Sequence, residues 1–351
     1  MFQIQDLLQT AFDLKASDLH ITTGIPPKCR VNGELVNLEF PKVLPPDTAQ
    51  LIEQMITPHY REILDRTGEV DFAYAIRGLG RYRVNVFRQR GSYAIVIRLV
   101  GTVIPKPEDL GIPPSVIELT RKKRGLVLVT GPTGSGKSTT LASLIDVINT
   151  NQNEHVITLE DPIEYLHNHK KSIVNQREMG IDTFSYANAL RAALREDPDV
   201  ILVGEMRDLD TIAIAITAAE TGHLVFSTLH TIGAANTIDR VIDVFPPHQQ
   251  QQIRIQLSAV LEAVISQQLI PTLDGKGRVA AYEVMHGTAA IKNLVREAKT
   301  HQINSMIQIN KNAGMQTMDD AIYNLYLNRK IGPDKALSFA QDPVSLERRL
   351  F

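Results

Sequence analysis

The run Gly131-Pro132-Thr133-Gly134-Ser135-Gly136-Lys137-Ser138-Thr139 has the G-x-x-x-x-G-K-[ST] spacing of a phosphate-binding loop. Glycine leaves backbone N–H groups free to curl around an anion, and a helix that begins at the lysine would turn its positive end toward the phosphates. The chemistry implied is binding of ATP or ADP by these nine residues. Lys137 would reach the β and γ phosphates, and the Ser138 hydroxyl would ligate Mg2+.

Phosphoryl transfer also needs a carboxylate near the metal and a group that orients or deprotonates water. Candidate acids close apolar runs: Glu160, Asp161 and Glu164 in ITLEDPIEY, and Glu205 in ILVGE. Another run, STLHT, supplies Thr228 and His230. The carboxyl ends of parallel strands share one edge of a sheet, so Glu164, Glu205 and His230 are expected beside the phosphates. Imidazole there would donate to a phosphate oxygen or to an acid. Helix capping or ion pairing would equally account for Asp161 and Asp208. Glu205 stands where many phosphate-loop proteins use Asp, and its greater length implies contact with the metal through water. Gly204 just before it is expected where a side chain would crowd the phosphates.

These side chains need a rigid sheet behind them. From Arg124 onward, short apolar strands (GLVLVTG, HVITLED, DVILVGE, LVFSTLH) alternate with helical patterns (FSYANALRAALRE, DTIAIAITAAETG, AANTIDRVIDVF), as in a parallel α/β sheet. The strands are apolar nearly throughout, which burial on both faces requires. Beyond Pro247 the pattern predicts a mostly helical region. The first hundred residues predict a smaller α+β domain: an amphipathic helix in IQDLLQTAFDL, a strand in LHITTG, a hairpin around Asn32-Gly33, and three strands broken near Gly78-Leu79-Gly80 and Gln89-Arg90-Gly91-Ser92. The expected division is an amino-terminal domain over 1–100, a Pro- and Gly-rich linker over 101–114 and an ATPase domain over 115–351.

Composition narrows the function classes. Of 351 residues, 43% are hydrophobic and 22% charged, with 37 Lys and Arg against 39 Asp and Glu. A net charge of −2 and the lack of Trp argue against a nucleic-acid translocase, which would need a basic groove with stacking aromatics. The single Cys29 rules out an internal disulfide or a cysteine-built zinc site and fits a reducing compartment. No apolar run approaches a membrane span, and the first residues do not read as a signal peptide. A cytoplasmic protein is expected.

With these residues assembled, the chain resembles the secretion-type ATPases of the type IV pilus and type II and IV secretion family. GPTGSGKSTT is similar to their Walker A box, ITLEDPIEY to the Asp box, ILVGEMRD to the atypical Walker B box and TGHLVFSTLHT to the His box. The resemblance implies a PAS-like amino-terminal domain joined to a RecA-like ATPase domain, assembled as a homo-hexamer with ATP bound between subunits. It makes Glu164 the catalytic glutamate, Glu205 the Walker B acid and His230 the His-box residue. It also implies that Arg81, Arg83 or Arg98 reaches a neighbouring subunit's ATP, although a solvated strand face would supply the same residues. The segment Ala290-Ile291-Lys292-Asn293-Leu294-Val295-Arg296-Glu297 resembles the AIRNLIRE motif of retraction ATPases, departing at Lys292 and Val295. At 100° per residue, Ala290, Ile291, Leu294 and Val295 are expected on one face, as in any core helix. The implied partner is the inner-membrane platform protein of a type IV pilus, with peripheral membrane association and no nucleic acid. Assembly and type II secretion ATPases are the nearer alternative, but they usually carry a four-cysteine zinc module that one cysteine cannot build.

Overall fold

In the computed structural model, which describes residues 2–31, 33–76, 79–100 and 103–351, the chain divides into two units. One comprises Met1–Val103 with Glu164–Leu166, and the other comprises Ile104–Ile163 and His167–Phe351.

In the first unit, Ile4, Leu7, Leu8 and Ala11 recur at helical spacing and are the buried residues of α1 (Ile4–Asp13). The chain continues through β1 (Asp18–Ile21), β2 (Lys28–Val31), β3 (Glu34–Asn37), α2 (Pro45–Glu53), α3 (Pro58–Thr67), β4 (Glu69–Ile76), β5 (Gly80–Gln89) and β6 (Ser92–Leu99). These strands pair antiparallel in the order β3-β2-β1-β6-β5-β4. Alternation sends Leu19, Ile21, Cys29, Val84, Val86, Ile95 and Ile97 to one face, where they form a core with Leu7, Leu8, Leu51, Ile52 and Leu64 of the helices. The opposite face carries Asp18, Lys28, Arg30, Arg81, Arg83 and Arg98 beside apolar residues such as Phe87 and Val96. Arg90 and Gly91 turn the β5–β6 hairpin with positive φ. Asn32 of the expected first hairpin, Gly78 of the second break and residues 101–102 of the expected linker lie outside the described residues.

The second unit is built on β7 (Gly125–Thr130), β8 (His155–Glu160), β9 (Ile173–Glu178), β10 (Val200–Val203), β11 (Leu224–Leu229), β12 (Leu261–Pro271) and β13 (Arg278–His286), ordered β13-β12-β7-β11-β10-β8-β9. All neighbours are parallel except β12 and β13. Successive residues pack on opposite faces: Leu126, Leu128, Ile201 and Val203 on one, Val127, Val129, Leu202 and Phe226 on the other. Around the sheet lie α4 (Pro114–Ile117), α5 (Lys137–Asn151), α6 (Tyr186–Ala193), α7 (Leu209–Glu220), α8 (Ala234–Asp243), α9 (Pro247–Val260), α10 (Ala289–Arg296) and α11 (Ile303–Ile309). A last group, α12 (Met318–Leu327), α13 (Pro333–Phe339) and α14 (Pro343–Leu350), forms a smaller core with Ile270 and Ala281 of the β12–β13 pair.

Two expectations need amendment. The region beyond Pro247 is mostly helical, as expected, but it also holds two strands, β12 and β13, which extend the central sheet. Helix α9 runs into β12 at Leu261 without a Gly or Pro break, and the Gln-rich start of α9 favours helix. The Pro-rich segment read as a linker is no free spacer from Ile104 onward. Ile112 is buried, Leu110 packs beside it, and the Tyr282 hydroxyl donates to the Leu110 carbonyl at 3.2 Å. Pro107 lies in a turn, and Pro113 and Pro114 cap and open α4.

Candidate nucleotide-binding site

The phosphate loop joins β7 to α5 at the carboxyl edge of the parallel strands. Gly131 (φ +143°) and Gly136 (φ +90°) adopt conformations that side chains rarely allow, and a Cβ at Gly131 would also come within 2.3 Å of the Gln267 backbone oxygen. Lys137 is only 8% exposed and its Nζ donates to the carbonyls of Gly131 and Pro132, at 2.8 and 3.1 Å. Pro132, Thr133 and Gly134 form the exposed crest, while Ser138 and Thr139 are half-buried in the first turn of α5. The hydroxyl of Ser135, within the loop, is buried without a protein partner, and so is that of Thr130 just before it. A buried hydroxyl without a partner is costly, and a phosphate oxygen would supply one. The residues present therefore fit a nucleotide's phosphates.

Register places the other groups on the same edge. Thr130 pairs with Leu229, Ser227 with Val203, and Val203 with Leu159, so the chain leaves the sheet toward Gly131, His230, Glu205 and Glu160 side by side. The Thr228 hydroxyl donates to the Gly204 carbonyl at 2.5 Å, and the Met206 N–H donates to the Thr228 carbonyl at 3.1 Å. These bonds fix Glu205 between two strand ends. Its carboxylate, with the side chain 14% exposed, pairs with Arg207 Nε at 2.7 Å and lies 3.4 Å from His230 Nε2. Gly204 crowds something other than phosphate: a Cβ there would meet the Leu159 carbonyl at 3.0 Å and the Tyr186 hydroxyl at 3.1 Å. Asp208 is a helix cap, accepting from the Thr211 N–H and hydroxyl at 2.8 Å each.

Strand β8 ends at Glu160, and Glu164 is an exposed residue of the stretch counted with the first unit. Arg81, Arg83 and Arg98 share the face of the first unit's sheet opposite its core. Arg83 and Arg98 are directly opposite in register, Arg83 lying 3.9 Å from Asp71 and Arg98 bonding Asp18 at 2.9 Å. In α10, Ile291, Leu294 and Val295 are buried but Ala290 is exposed, contrary to the expected face. It lies at the margin of that arc, near Glu297. Lys292 bonds Glu262 at 3.2 Å, and Arg296 and Glu297 both bond Asn293.

Sequence reasoning missed Tyr186 and Gln267. Burial raises the Tyr186 hydroxyl well above its ordinary pKa, and the nearby charges of Asp161, Glu205 and Glu160 raise it further, so it remains a protonated phenol beside acids. The Thr140 hydroxyl donates to the Gln267 carboxamide oxygen at 2.8 Å. Neither residue falls in a motif; each is brought to the site by the fold.

A phosphate loop between strand and helix, followed by acids and a histidine along one parallel edge, defines a RecA-like P-loop nucleotide-binding domain. The profile of the Type II/IV secretion system protein family matches residues 2–324, and the chain belongs to that family. It is 47% identical over 340 residues to the Type IV pilus retractation ATPase PilT of Pseudomonas aeruginosa, covering 97% of this chain and 98% of that protein. It is 46% identical over 339 residues to a twitching motility protein of Neisseria gonorrhoeae, covering 95% and 91%. A crystal structure of the pilus retraction motor PilT with bound ADP superposes with a TM-score of 0.93 at 51% identity, over 99% of this chain and 100% of that one.

Proposed function

We propose that this chain is a Mg2+-dependent ATPase that assembles as a homo-hexamer and powers retraction of a type IV pilus. The observation that carries the reading is identity of 47% with a pilus retraction ATPase across 97% of the chain. The buried Lys137 and the partnerless hydroxyl of Ser135 in a glycine cradle support it chemically.

In this reading the loop N–H groups and Lys137 bind the β and γ phosphates, and the Ser138 hydroxyl ligates Mg2+. Bound Mg2+ would neutralise charge on the phosphate oxygens. Among the described residues no cluster of His, Cys, Asp and Glu forms a protein cage, and Mg2+ needs none, since it keeps waters and takes phosphate oxygens as ligands. Glu205 would hold the metal's waters, Glu164 would accept the proton of the attacking water, and His230 would orient Glu205 or donate to a phosphate oxygen. Arg81, Arg83 or Arg98 would meet charge on the ATP of a neighbouring subunit. The ring would dock on the pilus's inner-membrane platform protein from the cytoplasmic side. Among the described residues no helix is long and apolar enough to cross a membrane.

The reading is tested by deleting the gene. Cells should keep or accumulate surface pili and lose surface movement, and the gene carrying Lys137→Ala should fail to restore it. Loss of the pili themselves would point to assembly instead.

A further inference from the structure

Gln267 is 2% exposed in the middle of β12, among the buried Ala263, Val264, Ile265 and Ile270. Simple packing would favour an apolar residue there, because a buried amide is costly unless hydrogen-bonded. Its Oε1 accepts from Thr140 Oγ1, 1% exposed and in the first turn of α5, just past Lys137. The same residue abuts both ends of the phosphate loop. A Cβ at Gly131 would come 2.3 Å from its backbone oxygen, and a Cβ at Gly136 would come 2.9 Å from its Nε2. The loop's two bounding glycines are thus fitted against one glutamine, and the helix that follows is bonded to its side chain.

We infer that Gln267 is a positioning residue for nucleotide binding, holding the phosphate loop in its anion-receiving curvature through Thr140, Gly131 and Gly136. This rests on the reading that the loop binds ATP and ADP. The side chain need not touch the nucleotide. Its contribution is to spare the nucleotide the cost of ordering the loop.

The test is ADP titration, with Tm recorded for each protein. Gln267→Met keeps the volume and removes the amide, and Thr140→Val removes the donor. Each should raise the Kd for ADP about tenfold, the scale of one buried hydrogen bond. The double variant should bind no more weakly than the weaker single, since both remove one contact. Val264→Ala, on the opposite face of β12, should lower Tm while leaving the Kd unchanged. An unchanged Kd in both Gln267→Met and Thr140→Val would overturn the inference alone. So would an equal rise in Val264→Ala, since that would mark a general effect of strand stability. Failure of the unaltered chain to bind ADP would overturn the nucleotide reading and the inference with it.

Discussion

Glu205 divides its carboxylate between Arg207 and His230 at the end of a buried strand. That arrangement suits an acid that holds metal-bound water better than one that ligates directly. Glu205→Gln keeps the shape and loses the charge, so it should lower kcat at least about tenfold and leave the Kd for ADP within about threefold. Steady-state turnover and ADP titration on the same preparation separate the two effects; collapse of binding would mean direct ligation. Glu164→Gln should leave ATP bound and slow turnover by roughly 10² to 10⁴, the range for losing a general base. Unchanged turnover would remove Glu164 from that role. At this scale the site was legible wherever a side chain's task requires a fixed local spacing, as at Gly131, Gly136 and Lys137. Gln267 was not, because its partners lie in another strand–helix unit and only the sheet order unites them.

Two elements show how burial and exposure divide the labour. In α10, Ile291 is fully buried while Arg296 is exposed. Ile291→Ala should cost about 2–4 kcal/mol of stability, whereas Arg296→Ala should stay within about 0.5 kcal/mol. Denaturant unfolding measures both, and equal losses would contradict the assigned faces. On β13, Glu283 is 1% exposed; its carboxylate accepts from the Ala234 N–H at the start of α8 at 2.7 Å and from Gln341 Nε2 at 3.1 Å. The loop that His230 opens is thereby tied to the last helices of the chain. Burial holds the Glu283 carboxyl above its ordinary value of 4.5. A raised folded-state pKa gives stability that is fully present below 4.5 and lost as pH rises through the folded value. Glu283→Gln stays neutral, so its stability relative to the unaltered chain should improve as pH rises from 4.5. The opposite trend would mean that the two donors hold the ionised form. The strand pair that holds Glu283 was not legible, since α9 passes into its first member, β12, without a turn signal and the period of a short apolar run cannot separate strand from helix.

For the whole molecule, the sequence announced two units and the parallel sheet of the second, because the rhythm of short apolar strands and longer helices changes near Arg124. It did not announce that residues from Ile104 pack with the second unit or that Glu164–Leu166 are counted with the first, since these depend on contacts between distant segments. Assembly belongs to this scale. Sedimentation with ATP and Mg2+ should show a species of six chains, and a persistent monomer would contradict the ring. The proposal stands or falls on ATP hydrolysis, read as steady-state phosphate release with Mg2+. The unaltered chain should release phosphate, chelation of Mg2+ should stop it, and Lys137→Ala should abolish it. Turnover by Lys137→Ala equal to that of the unaltered chain, or none by the unaltered chain as an assembled ring, would contradict it.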